Sequence, residues 1–186
     1  MKYPLPLTTL DEICMICKCM ASSKGMFVEI GTRFGGTSSL IARTFPERAI
    51  LTLDIKKQYE DEIFVNHKQF FFIEGNSQNG PEALCIPLVP IGVLFEDGEH
   101  NPPAVEKDLV KWSPYVEIGG FVVVHDAILQ EELSISVGGV QLSHLNADGI
   151  VESGYPEIGK MAKQVLCDEF RIVAEADSCL VFQREL

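Results

Sequence analysis

The stretch Met26–Ser39, MFVEIGTRFGGTSS, constrains the fold of this chain more than any other. A short apolar run, Met26-Phe27-Val28, is interrupted by Glu29, closed by Ile30 and bounded by Gly31. Such a run reads as a buried strand. Gly35-Gly36 follow, then Thr37, Ser38 and Ser39, then apolar Leu40 and Ile41. Hydroxyl residues ahead of an apolar run read as a helix start. Strand, glycine turn and helix form the unit that opens a nucleotide-binding α/β sheet. Glycines let a backbone approach a ligand, and a helix N-terminus offers it free N–H groups. A tight turn with no ligand is the plainer alternative, because an isolated glycine motif is only a hypothesis.

The rest of the chain repeats this alternation. Residues 1–8 carry Pro4 and Pro6 and read as an extended lead-in. Thr9 and Glu12 fit a capping box for a helix reaching about Ala21, with Leu10, Ile13, Cys14, Cys17 and Met20 on one face. Ala49–Leu53, Phe70–Ile73, Ile91–Phe95 and Phe121–Val124 read as four further strands. Strands this apolar are expected to be covered on both faces, as in a parallel sheet. Lys56–His67 reads as a polar helix, Pro81–Cys85 as a short one, and Asn101 as the cap of a helix whose first turn takes Pro102 and Pro103. Residues 127–154 show no convincing period and read as a long loop, the kind that serves as a lid. Pro156–Asp168 reads as the last helix. Two runs flanking Asp177-Ser178 then make an antiparallel hairpin. The expected fold is α/β: a doubly wound, mostly parallel seven-stranded sheet with a C-terminal antiparallel hairpin. The 186 residues suit a single domain, 1–186, with 1–24 as an N-terminal cap helix.

Charge narrows the partners. With 27 acidic against 15 basic residues the net charge is −12, which repels phosphate backbones and argues against nucleic acid. No apolar run approaches the length of a membrane span, and no secretory signal pattern opens the chain. The expectation is a cytoplasmic protein with no membrane partner. Three of the six cysteines lie in the run CMICKC. Zinc would need further ligands, so buried thiols in a reducing compartment are the better reading.

Ligands of open α/β sheets bind at the carboxyl ends of the strands, where strand order reverses. All five strands end in polar groups: Glu29 and Gly31; Asp54; Glu74, Asn76 and Ser77; Asp97 and His100; His125 and Asp126. Each alone is an ordinary turn residue. Together they would face one crevice. Asp54 also follows Gly31 at about the twenty-residue spacing at which an acidic side chain meets a ribose, although Asp is equally a good helix cap.

The order of elements, and the run FEDGEH…VEKDLVKWSPYVEIGGFVVVHD in particular, resembles class I S-adenosylmethionine-dependent methyltransferases. The likeness is greatest to a small O-methyltransferase-like group with DG-x-H after strand four and HD after strand five, and it spans about residues 20–184. It implies a Rossmann-like methyltransferase fold and methyl transfer to a small-molecule acceptor, an O-methylation of a hydroxyl. By the same resemblance Glu29 and Gly31 approach the methionine part of S-adenosylmethionine, with Gly35, Gly36 and Thr37 beside it. Asp54 meets the ribose hydroxyls, and Asn76 and Ser77 border the adenine. Asp97 faces both cofactor and acceptor. Asp97, His125 and Asp126 form the catalytic end, where Asp97 and Asp126 are the oxygen ligands that Mg2+ would take. His125 suits magnesium poorly and is expected to be a base or a supporting group. His100 is either a base or a prop for its loop. Two departures stand out: Arg33 replaces the middle glycine of the commonest turn, and Asn101-Pro102-Pro103 replaces the usual polar and aromatic residues after the histidine.

Two other readings compete. A nicotinamide-dependent oxidoreductase wants G-x-G-x-x-G, whose second glycine is missing here. A non-catalytic protein keeping the fold is the other. A homodimer is compatible with each.

Overall fold

The strand Met26–Ile30 (β1) lies inside a seven-stranded sheet, buried along its whole length. The structure is a computed structural model that describes residues 4–86, 89–128, 136–137, 140–141 and 155–186. Parallel to β1 run Ile50–Asp54 (β2), Phe70–Glu74 (β3), Ile91–Glu96 (β4) and Val116–Val124 (β5). Ser136–Val137 (β6) and Val140–Gln141 (β7) form a separate short antiparallel pair. Phe170–Ala176 (β8) and Cys179–Arg184 (β9) close the large sheet antiparallel, and its order is β3-β2-β1-β4-β5-β9-β8. The strand order thus reverses at β1, and the crevice expected of such sheets opens between β1 and β4.

Helices Leu10–Ser22 (α1) and Gly36–Thr44 (α2) cover one face, and Pro102–Trp112 (α4) and Tyr155–Leu166 (α5) the other. Gly80–Ala83 (α3) is a single turn. Side-chain alternation along β1 feeds both layers: Val28 and Ile30 pack with Leu109, Trp112 and Ile158, while Phe27 packs with Ile16, Met20 and Ile41. The capping box between Thr9 and Glu12 forms as expected, and Asn101 caps α4 by accepting from the Ala104 amide at 3.0 Å.

Several expectations are corrected. Lys56–His67 is not a helix; only Asp61–Ile63 makes a 3-10 turn. Its charged residues leave no apolar face at helical spacing, and Phe64 instead stacks on Phe70 with ring centroids 3.5 Å apart. The strand β3 is an edge strand, and Phe71 is exposed rather than covered. The fifth strand starts at Val116 rather than Phe121, so Gly119-Gly120 lie within it. The buried face of α1 is Glu12, Ile13, Ile16, Cys19 and Met20. Leu10 and Cys14 point outward, and of the six thiols only Cys19 and Cys179 are buried. The α2 helix begins without a hydroxyl cap; Gly35 is its N-cap, in the left-handed region. The proposed lid, 127–154, lies outside the described residues apart from 127–128, β6 and β7. Among the described residues no helix is long and apolar enough to cross a membrane.

Candidate active site

The backbone ladder carries the strand ends into register. Ile30 pairs with Glu96, and Glu96 with Val124. One hydrogen bond beyond each strand, the Asp97 amide donates to the Ile30 carbonyl at 3.0 Å and the His125 amide to the Glu96 carbonyl at 2.9 Å. Gly31, Asp97 and His125 therefore follow side by side across β1, β4 and β5. Gly31 has φ +94°, and a Cβ there would stand 2.0 Å from the Asp97 carbonyl oxygen. Glycine is required here because two strand ends touch.

The catalytic candidates converge. His125 Nδ1 lies 3.1 Å from Asp97 Oδ1 and 3.3 Å from Asp126 Oδ2. His100 Nδ1 pairs with Asp126 Oδ2, and its Nε2 lies 3.9 Å from Asp97 Oδ1. Asp126 holds φ +53°, a left-handed conformation that Asp tolerates better than most residues. The other side of the imidazole meets a residue whose sequence context signals only a helix cap: Glu12 Oε2 stands 3.4 Å from His125 Nε2. Glu12 Oε1 accepts from Ser178 Oγ at 2.7 Å and from the Ser178 amide at 3.1 Å. The first helix, the end of β5 and the C-terminal hairpin are thus knotted at one carboxylate.

Burial alone would raise the Glu12 carboxyl, but the groups donating to it, His125 and Ser178 foremost, hold it at about 2. Burial alone would lower His125, but Asp126, Asp97 and Glu12 outweigh it and keep the proton on the ring well above the usual imidazole range. A hydrogen bond to Asp126 likewise raises His100. A ring whose protonated form is favoured by three neighbouring carboxylates is a poor proton acceptor.

The cofactor candidates line the same edge. Asp54, half-buried at the end of β2, accepts the Arg33 amide on Oδ2 at 2.6 Å and the Lys56 amide on Oδ1 at 3.3 Å. Each oxygen keeps a lone pair for a ribose hydroxyl. Arg33 itself adopts φ +47° where a glycine is usual. Glu29 is fully buried, raised by that burial, and takes a hydrogen bond from Ser38 on α2, so it ties β1 to α2. The room that Gly35 and Gly36 leave is filled by protein: Ile63 and Phe64 at Gly35, Leu5 and Pro6 at Gly36. Thr37 bonds Thr8 of that same N-terminal segment, Oγ1 to Oγ1, at 3.0 Å. Asn76 caps a 3-10 turn through the Gln78 amide, and the Ser77 carbonyl accepts from Trp112 Nε1 at 2.9 Å.

A divalent ion also has donors here. One ligand atom each from Asp97, His100 and His125 lie within 4.8 Å of one another, with the Asp126 carboxylate alongside. His125 Nδ1 is buried, and among the described residues it has no partner at hydrogen-bonding geometry.

A doubly wound sheet with its polar strand ends gathered at the reversal point defines a nucleotide- or cofactor-binding α/β protein. Residues 28–127 match the methyltransferase domain family. The chain belongs to that family, within the class I S-adenosylmethionine-dependent methyltransferases. Solved structures agree on the fold. The O-methyltransferase NovP superposes with a TM-score of 0.66 at 16% identity, over 95% of this chain and 81% of that one. The TDP-rhamnose 3′-O-methyltransferase CalS11 gives 0.61 at 16%, over 92% and 76%. The methyltransferase MycE, in a complex with Mg, S-adenosylhomocysteine (SAH) and mycinamycin VI, gives 0.52 at 17%, over 87% and 45%.

Proposed function

We propose that this chain, acting as a single domain, binds S-adenosylmethionine and transfers its methyl group to a hydroxyl of a small molecule. The observation that carries this reading is the convergence of Asp97, His125 and Asp126 beside Gly31 at the reversal point of a methyltransferase sheet. Asp54 is placed to take the ribose hydroxyls, and Asn76 and Ser77 to border the adenine. Glu29, Gly31, Gly35, Gly36 and Thr37 shape the turn beside the methionine end, largely by holding the N-terminal segment and α2 in place.

In the transfer, the acceptor oxygen forms a bond to the methyl carbon as the carbon–sulfur bond breaks, leaving a neutral thioether. The hydroxyl proton must leave, and Asp97, partly exposed and facing both neighbours, is the carboxylate placed to receive it. His125 and His100 balance the charge of Asp97 and Asp126, which keeps two carboxylates together at one crevice. Asp97 and Asp126 are also the oxygen donors for a divalent ion, which when bound supplies a Lewis acid for the acceptor hydroxyl. The rest of the catalysis is alignment, which rigid strand ends provide.

Titration calorimetry with S-adenosylmethionine and separately with NADH tests the cofactor. A screen of sugar and phenolic hydroxyl acceptors, read as methylated product by mass spectrometry, tests the reaction. Heat with NADH alone supports the oxidoreductase instead. S-adenosylmethionine binding with no product from any acceptor supports a non-catalytic protein.

A further inference from the structure

We infer that Glu12, on the first helix, is a positioning residue for the methyl transfer: it fixes the plane of the His125 ring, and His125 turns Asp97 so that Oδ2 is the oxygen offered to the acceptor hydroxyl. The inference deepens the methyltransferase reading and rests on it for the identity of the reaction. Three observations carry it. First, Asp97 is held through one oxygen only. His125 Nδ1 lies 3.1 Å and His100 Nε2 3.9 Å from the same atom, Asp97 Oδ1. Among the described residues no hydrogen bond or ion pair reaches Oδ2. A carboxylate with one oxygen tied and the other open presents a defined lone pair to an incoming O–H.

Second, the ring that ties Oδ1 is itself confined. Phe95 stands edge-on to it, with ring centroids 6.0 Å apart. One atom each from His125, Glu12 and the buried Cys179 lie within 4.8 Å of one another. The last torsion of a histidine side chain is intrinsically broad, so its partners must set the plane of the ring. Among the described residues Glu12 is the one partner of Nε2, at 3.4 Å. A buried carboxylate behind an imidazole is an established means of fixing its orientation.

Third, Glu12 is locked beyond what a helix cap requires. The cap uses Thr9, whose amide donates to Glu12 Oε2 at 2.8 Å. The other oxygen, Oε1, accepts from Ser178 Oγ at 2.7 Å and from the Ser178 amide at 3.1 Å. Ser178 Oγ in turn accepts from the Asp126 amide at 3.3 Å, so the same hydroxyl holds both the carboxylate and the end of β5. Support of this kind, set before the substrate arrives, is what holds a reactive group to within about 0.5 Å of its working position.

The test uses the full chain. Glu12→Gln keeps the size of the side chain and replaces the carboxylate behind the ring with an amide. In the proton–nitrogen spectrum of histidine-labelled protein, the His125 Nε2 proton is assigned through its proximity to Phe95. It should move upfield and exchange faster with solvent in Glu12→Gln. Calorimetric affinity for S-adenosylmethionine should stay within about twofold, because Glu12 touches none of the cofactor candidates. With catechol as the acceptor probe, kcat should fall at least about tenfold at unchanged KM for S-adenosylmethionine, since misplacing a reacting group by about 1 Å can cost about 100-fold. Should Glu12→Gln fail to fold, Ser178→Ala takes its place. It removes one of the two bonds to Oε1 and should lower kcat about threefold, with a smaller change in the same resonance. A His125 resonance unchanged in a folded variant overturns the inference. So does an unchanged kcat beside a shifted resonance, or a loss of cofactor affinity as large as the loss of kcat, which would make Glu12 a general support of the crevice. If wild-type protein does not methylate catechol, the resonance alone decides. Failure of the wild type to bind S-adenosylmethionine overturns the methyltransferase reading, and the resonance then still decides whether Glu12 fixes the ring.

Discussion

Glu12 Oε2 stands 3.4 Å from His125 Nε2, linking the first helix to the end of β5. Glu12 is 1% exposed and serves four groups: His125, the Ser178 hydroxyl and amide, and the Thr9 amide at 2.8 Å. Removing a buried carboxylate leaves its donors, and the imidazolium, without partners. Glu12→Ala is therefore expected to cost about 3–5 kcal/mol in chemical denaturation, far above an ordinary helix-cap loss of about 1 kcal/mol. A loss confined to the cap value would mean that the contact with His125 contributes nothing.

Gly31 and Gly119 make a matched comparison. Both have strongly positive φ, +94° and +80°. A Cβ at Gly119 meets nothing within 4 Å, but one at Gly31 meets the Asp97 carbonyl oxygen at 2.0 Å. Gly119→Ala should cost only the conformational strain, about 1–2 kcal/mol. Gly31→Ala adds a clash with backbone and should cost about 4 kcal/mol or more, with β1 and β4 forced apart. Thermal melts of the two variants decide it, and equal losses would rule out the close approach as the reason for glycine.

The strand ends were legible because the signal is local: Ile30, Leu53, Phe95 and Val124 close apolar runs, and each is followed by a polar residue or glycine. Parallel strands then bring those ends together without further information. Glu12 was illegible for the opposite reason. Its capping box with Thr9 is real and accounts for an acidic residue at that position, so nothing local signals a second contact with His125 or Ser178. The buried stripe of α1 is ambiguous in sequence because Ile13 and Met20 belong equally to a series through Cys14 and Cys17 and to one through Ile16 and Cys19; only packing against Phe27 and Phe95 selects the second. The roles of Gly35 and Gly36 were likewise hidden, since their neighbours are the distant Phe64 and Pro6.

The thiols provide an inexpensive check on that corrected helix. Cys14, Cys85 and Cys167 are exposed, whereas burial pushes Cys19 up to about 12 and raises Cys179 further. A thiolate is the reactive form. Native protein treated with an aromatic disulfide reagent should label the three exposed positions quickly, and Cys19 and Cys179 only after unfolding. Peptide mapping that finds Cys19 labelled in the native state would place the buried face of α1 elsewhere.

Asp54 tests the cofactor edge. Its carboxylate already organises the turn through the Arg33 and Lys56 amides, so Asp54→Asn retains some of that scaffold while removing the charge. Affinity for S-adenosylmethionine is expected to fall by about 1–3 kcal/mol in calorimetry, the usual cost of leaving a buried hydroxyl unmatched. Unchanged affinity in a folded variant would remove Asp54 from the ribose site.

The last prediction concerns pH. Asp108 on α4 is 1% exposed; Ser77 bonds it, and its Oδ1 has no partner among the described residues. Burial is the main cause that raises its carboxyl to about 6, with Glu99 adding to the shift and Ser77 and Lys107 opposing it. The unfolded chain should titrate near the ordinary aspartate value of about 4. The folded state therefore binds this proton more tightly than the unfolded state does. Its contribution is fully present below pH 4 and is lost as pH rises through about 6. Asp108→Asn removes the titration. Measured against wild type by urea denaturation, the variant should gain in relative stability between pH 4 and pH 6 and then level off. The full gain is at most about 3 kcal/mol, from two pKa units at about 1.4 kcal/mol each. The difference between the two proteins is the quantity to plot, because Glu12 and the other carboxylates titrate in both. A difference that stays flat from pH 4 to pH 7 would mean that Asp108 is ionised in the fold at no cost, with its second oxygen reached by water.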